Sequence, residues 1–178
     1  IVSGSYAVAD IVPADCSADW TLSLWIWPTL LRKDRQVIVS SGTAEAEWQV
    51  GIHQNSLFVC GRGEENTKVF GPALLEREWY HLVLAYDDEA RTLNWVVHPG
   101  REIGLPSNRS GTVDSGDMRI AGGERLLFSA SSTDPALLYN GKIAEPVLIA
   151  GAVPSERLVE LRAANLPSDL AVVAKWDL

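Results

Sequence analysis

Residues 77–97, REWYHLVLAYDDEARTLNWVV, place a Trp-Tyr-His triplet and the acids Asp87, Asp88 and Glu89 within one short span. Such groups could build a sugar platform, a metal site or an acid–base corner, and each use has its own requirement. A sugar platform needs a flat aromatic facing solvent. A Ca²⁺ site needs six or more oxygen ligands around one point. Glycoside hydrolysis with retention needs two carboxyl groups about 5–5.5 Å apart.

The acids fall into two clusters, Asp87-Asp88-Glu89 and Asp114 with Asp117. Neither spacing gathers six oxygens, and neighbouring carboxylates repel one another unless an ion lies between them. Solvated turns are the expectation, with loop-bound calcium as its competitor. In AEAEWQ, Glu45 and Glu47 share one face of a strand or of its entering turn, and a solvated outer face is expected there. His53, His81 and His98 are scattered over different strands. His81 sits in apolar sequence with no Ser or Cys beside it, so a core or edge imidazole is expected and no triad is argued. No Gly-x-Ser-x-Gly elbow, His-Glu-x-x-His helix or Walker loop occurs, and GRGEEN reads as a hairpin turn. The chain therefore has no assigned catalytic, cofactor-binding or metal residue.

The elements that would position these groups are short strands. WTLSLWIWP puts Trp20, Leu22, Leu24 and Ile26 on one face and Thr21, Ser23, Trp25 and Trp27 on the other. RQVIVSSG and AEWQVGIH follow, the second with Trp48, Val50 and Ile52 opposite Gln49 and His53. SLFVCGRG and TKVFGP predict a hairpin. Residues 79–86 alternate Trp79, His81, Val83 and Ala85 with Tyr80, Leu82, Leu84 and Tyr86, the pattern of a central strand covered on both faces. Its return is predicted over 92–97, loose connections over 99–116, and a short strand in GDMRIAGG. Residues 139–154 predict a longer strand with an edge or bulge at Pro146, where a ladder donor is missing. One short helix is expected in PSERLVELRAANLP, capped by Ser155, and AVVAKWDL closes as a strand. The fold class is all-β, a two-sheet antiparallel sandwich with one short helix. Most of the seven tryptophans alternate with aliphatics and should fill its core; the faces of Trp25, Trp27 and Trp95 stay open.

Bulk properties remove several functions. With 178 residues and a formal charge of −8, the chain suits one domain and lacks the basic face that nucleic acid or an anionic membrane demands. No apolar run approaches the roughly 18 residues of a membrane span. Cys16 and Cys60 are too few for a disulfide framework and are expected as buried thiols, one bridge between them being the alternative. Asn108-Arg109-Ser110 is a formal glycosylation sequon. The opening IVSGSYAVAD has neither Met nor a signal-peptide core, which suggests excision from a longer protein, with any localisation signal lost in the cut; localisation stays unknown, the cytoplasm being favoured.

The succession WTLSLWIWPT, REWYHLVLAYDDEARTLNWVV, MRIAGG and YNGKIAEPVLIAGAVPSERLVELRAAN resembles the concanavalin A-like, laminin-G-like jelly roll. That resemblance implies one such domain over 1–178. Glucanases of this architecture carry their acids as Glu-x-Asp-x-Glu along a strand, and AEAEWQ lacks the third acid. WTLSLWIWPTL, YNGKIAEPVLI and VVAKWDL further resemble the laminin-G-like domain in the large subunit of bacterial N,N-dimethylformamidase-like proteins. The narrower likeness implies a non-catalytic accessory domain docked on a catalytic domain or sister subunit of an amidohydrolase. A lectin-like carbohydrate-binding module, with a calcium-dependent form of it, is the alternative role.

Overall fold

The computed structural model describes residues 6–9, 18–43, 46–65, 67–101, 109–121, 124–131, 134–162 and 166–178. Twelve strands appear among them: β1 Ala7–Ala9, β2 Trp20–Pro28, β3 Arg35–Gly42, β4 Glu47–His53, β5 Ser56–Cys60, β6 Lys68–Phe70, β7 Tyr80–Asp87, β8 Thr92–Pro99, β9 Ser110–Asp114, β10 Leu126–Phe128, β11 Gly141–Ala150 and β12 Val172–Lys175. They form two six-stranded sheets, β1-β10-β3-β4-β5-β6 and β12-β11-β2-β7-β8-β9. The named strand pairs are all antiparallel, as the jelly-roll expectation requires.

The alternation in β2 sends Trp20, Leu22, Leu24 and Ile26 into the space between the sheets, where they are fully buried. From the other sheet Trp48, Val50 and Ile52 meet them. Trp20 and Trp48 stack across the core with ring centroids 5.2 Å apart. Burying each such side chain contributes about 1.5–3 kcal/mol, so this double row carries much of the fold's stability. The β4–β5 hairpin turns on Gln54 and Asn55, both at positive φ (46° and 65°), the backbone that a tight two-residue turn needs.

Several sequence expectations are corrected. Residues 117–120 form no strand, because the Met118 and Arg119 carbonyls accept the Trp20 and Trp48 indole N–H groups at 2.8 and 3.2 Å. Those carbonyls serve the core's aromatic donors instead of a ladder. β9 lies inside the stretch expected to be loose, and β10 was not anticipated. β9 is a polar sheet edge without apolar alternation, and β10 is only three residues long. Ser155–Arg162 is a 3₁₀ helix, whose three-residue repeat eclipses Leu158 and Leu161, both buried. At Pro146 the expected irregularity is a bulge: β11 lies between β12 and β2, and its register against β2 shifts between Ala144 and Val147.

Candidate functional site

The outer face of the second sheet is built in rows across β11, β2, β7 and β8. Val147, Ser23, Val83 and Val96 form one row; Ala144, Trp25, His81 and His98 form the next. Lys142 and Trp27 stand beyond, followed by Trp79 just ahead of β7. The 3₁₀ helix and its flanks lay Val153, Leu158 and Leu161 over Val83, Ala85, Val96 and Ile149, sealing half the face. The 3₁₀ helix runs to Arg162, Leu166 and Leu170 also pack on this cluster, and beyond it Trp25, Trp27 and Trp79 keep part of their surface exposed.

The open half is a groove of about 670 Å³ whose walls include Trp25, Trp79, Arg77, Glu78, Arg101 and Glu145. Trp27 packs on Trp79 at 6.4 Å, and the Lys142 ammonium lies 4.7 Å from the Trp27 ring centre. Trp79 is 36 % exposed, which corrects its expected place in a strand covered on both faces. His81, Val83 and Ala85 do follow that expectation. Gly100 lets the chain pass close by, donating its N–H to the Trp79 carbonyl at 2.6 Å; a Cβ there would press on Trp79 Cβ at 3.0 Å. Arg101 forms an ion pair with Glu78 on the rim, and its hydrogen bond lowers the Glu78 carboxyl below its usual range.

Next to the groove, His81 is buried with Ser23 Oγ 2.8 Å from its Nε2, a neighbour that sequence inspection missed because it comes from another strand. Trp25 and His98 flank its ring at centroid distances of 5.0 and 6.5 Å. Burial, then the nearby His98 and Arg162, pull the His81 pKa down to about 4, so the ring is neutral at pH 7. Ser23 and His81 do not make a hydrolytic triad. Among the described residues the His81 Nδ1 has no hydrogen-bond partner, so none of them supplies the ring with an orienting acid.

The two acidic clusters, separate in sequence, converge at one corner of the sandwich. Arg91 lies 3.6 Å from Asp88 and 3.3 Å from Asp117, and Arg119 lies 2.6 Å from Asp117. The Arg119 hydrogen bond holds the Asp117 carboxyl far below its ordinary pKa. Asp114 pairs with Lys68 at 3.0 Å. Guanidinium groups thus occupy the positions where a cation would have to compete, and no group of three or more His, Cys, Asp or Glu fit to hold a metal occurs among the described residues.

Glu47 departs from the solvated face expected for it. It is buried and accepts hydrogen bonds from Gln49 Nε2 at 2.6 Å and Ser131 Oγ at 2.7 Å. Glu45, the other member of that pair, lies outside the described residues, as do Cys16 and Asn108. Cys60 is a buried thiol with its Sγ 3.2 Å from the Glu64 carbonyl. Trp95 belongs to the core, packed on Phe70 at 5.4 Å, whereas Trp25 and Trp27 face outward, half-buried.

Residues 3–145 match the model of the concanavalin A-like lectin/glucanases superfamily, laminin-G type. The chain belongs to this superfamily. Among solved structures, this concanavalin A-like chain superposes on a heptameric SAP-like pentraxin of Limulus polyphemus with a TM-score of 0.63 and 11 % identity, covering 91 % of this chain and 80 % of that one. The CBM40 of a Ruminococcus gnavus IT-sialidase, solved with α2,3-sialyllactose, gives a TM-score of 0.60 at 13 % identity over 83 % of each chain. At such identities the likeness is one of fold. In sequence, the chain is 25 % identical to the N,N-dimethylformamidase beta subunit of Paracoccus aminophilus, over 98 % of its own length and 26 % of that subunit. It therefore spans about a quarter of that curated relative. These likenesses show a concanavalin A-like, lectin-type fold, and among the described residues no helix is long and apolar enough to cross a membrane.

Proposed function

We propose that the chain is a non-catalytic accessory module of a larger N,N-dimethylformamidase-type amidohydrolase, held against a catalytic domain or sister subunit. The observation that carries this reading is the 25 % identity running through 98 % of the chain but through only 26 % of the Paracoccus subunit. The groove fits a docking role: Trp25 and Trp79, the latter packed on Trp27, offer aromatic area, while Arg77 and the Arg101–Glu78 pair supply a polar rim. Expressed with the coding sequence that flanks it, the module is expected to remain in a stable assembly that hydrolyses N,N-dimethylformamide. The 178-residue chain alone should be inactive. Turnover by the chain alone, or an assembly unaffected by deleting the module, overturns the accessory role. An intact assembly without formamide hydrolysis overturns the choice of parent.

The same groove favours carbohydrate as a second reading, since half-exposed indoles beside charged hydrogen-bonding groups are what a sugar ring stacks on. Saturable binding on a glycan array, abolished by Trp79→Ala, would replace docking with a lectin role. Repeating the array with a chelator tests the calcium-dependent form: binding that survives chelation rules that form out.

A further inference from the structure

Asn140 and Gly141 stand where the chain enters β11, and they are the one Asn-Gly step in the sequence. Such a step carries a latent reaction. The Asn side-chain carbonyl carbon and the next backbone nitrogen can close a five-membered ring, and a glycine has no Cβ to shield that nitrogen. The fold itself demands the glycine: a Cβ at Gly141 would lie 2.5 Å from the Trp27 carbonyl oxygen and 2.5 Å from the Tyr139 hydroxyl. Asn140 is exposed, so base and water from solvent reach it. Its own bonds oppose the reaction. The Asn140 N–H donates to Gln36 Oε1 of β3 at 2.8 Å, and its carbonyl accepts the Thr29 N–H at 2.9 Å. The Thr29 hydroxyl lies 2.9 Å from that carbonyl and 2.7 Å from the side-chain Oδ1. Residue 140 is thus pinned between β3 of one sheet and the end of β2 of the other. Ring closure needs its side chain to swing onto the Gly141 nitrogen, which breaks the Oδ1 contact and strains the bonds that fix the backbone.

We propose that Asn140 is a spontaneous deamidation site held shut by Thr29 and Gln36, inert while residue 140 is pinned and reactive once those bonds open. The atoms balance with water as the only co-reactant. The Gly141 nitrogen, its proton lost to solvent base, bonds to Asn140 Cγ; the Cγ–Nδ2 bond breaks and Nδ2 leaves as ammonia. Water then opens the succinimide at one carbonyl or the other, giving aspartate or isoaspartate. Either product adds one negative charge to a chain whose formal charge is −8. Isoaspartate also inserts a methylene into the main chain just ahead of the Gly141–Pro28 and Lys142–Trp27 pairs of β11 and β2. An added main-chain atom there offsets the ladder and draws Lys142 from its seat 4.7 Å from the Trp27 ring centre. The site converts a transient opening beside the groove into a permanent one.

The test is peptide mapping by mass spectrometry of the 178-residue chain kept at mildly alkaline pH, folded or in urea, with isoaspartate read by enzymatic methyl transfer. Conversion at Asn140 is expected in urea and should be about tenfold slower or more in the folded chain, where it waits for local opening. Thr29→Val, which removes the hydroxyl alone, should speed conversion of the folded chain about fivefold, the effect of losing one hydrogen bond. Thr29→Ser, which keeps the hydroxyl, should convert like the parent. Urea melts establish that each variant is folded, and the comparison of folded and unfolded parent needs no variant. No conversion in urea, equal rates folded and in urea, or a folded Thr29→Val protein that converts no faster than the parent would each overturn the proposal.

Discussion

Two corners of this sandwich treat arginine in opposite ways. At the turn joining β7 to β8, Arg91 and Arg119 are each set between Asp88 and Asp117. At the end of the 3₁₀ helix, Arg162 stands beside a buried neutral imidazole, donates to the Pro99 carbonyl at 3.0 Å, and like Lys175 has no carboxylate partner among the described residues. The first corner draws its partners from nearby sequence, Asp88 with Arg91 and Asp117 with Arg119. The second assembles groups from β2, β7, β11, the 3₁₀ helix and β12. Charges that neutralise each other locally hold a turn, whereas the exposed cations of the second corner are left to solvent and a backbone carbonyl.

The largest test of this contrast is acid titration, because the corners should respond in different windows. His81 is depressed from 6.5 to about 4, so the unfolded chain takes up the proton first. Stability is therefore complete above pH 6.5 and falls as pH drops toward 4, by up to about 3 kcal/mol. The charged and titratable groups around that ring are His98, Arg162, Glu145 and Lys175. Asp117, held down by Arg119, keeps its contribution until pH falls below its ordinary value of 3.8. Urea midpoints measured from pH 8 to 3 should show a fall below 6.5 that His81→Gln reduces, the rest belonging to His98, which burial also lowers, and that Asp117→Asn leaves in place. A single acid transition unchanged by His81→Gln would break the distinction.

A smaller effect is expected from Asp117→Asn at neutral pH. It deprives Arg91 and Arg119 of a shared partner in a partly exposed network and should cost about 1 kcal/mol, or about 2–4 °C in Tm by calorimetry. The smallest effect belongs to the other corner. Arg162→Met and Lys175→Met should leave urea midpoints within about 0.5 kcal/mol of the parent. A clear loss of stability in either would mean that these cations hold the fold together, which would erase the difference between the corners.

Much of the architecture was legible in the residues. The period-2 pattern of β2 named its buried face, and the two-sided apolar pattern of β7 placed it centrally, because core exclusion of water acts residue by residue along a strand. Pro146 announced its bulge for an equally local reason. β9 and β10 were illegible, one being a polar edge and the other too short to show a period. Glu47 misled because Ser131, which covers it, lies far along the chain.

The site itself was barely legible. Trp25 and Trp27 read as aromatics of undecided face, and Trp79 as part of a covered strand. Their shared exposure depends on where the 3₁₀ helix stops covering the sheet. By itself the sequence determined the strand faces, the aromatic core and the all-β class, since these follow from local alternation and burial. Only the tertiary structure decided that Ser23 meets His81, that the acidic clusters meet their arginines, and that Arg162 reaches the Pro99 carbonyl. Strand register and the ends of covering segments set those encounters, and both emerge only when the sheets have packed.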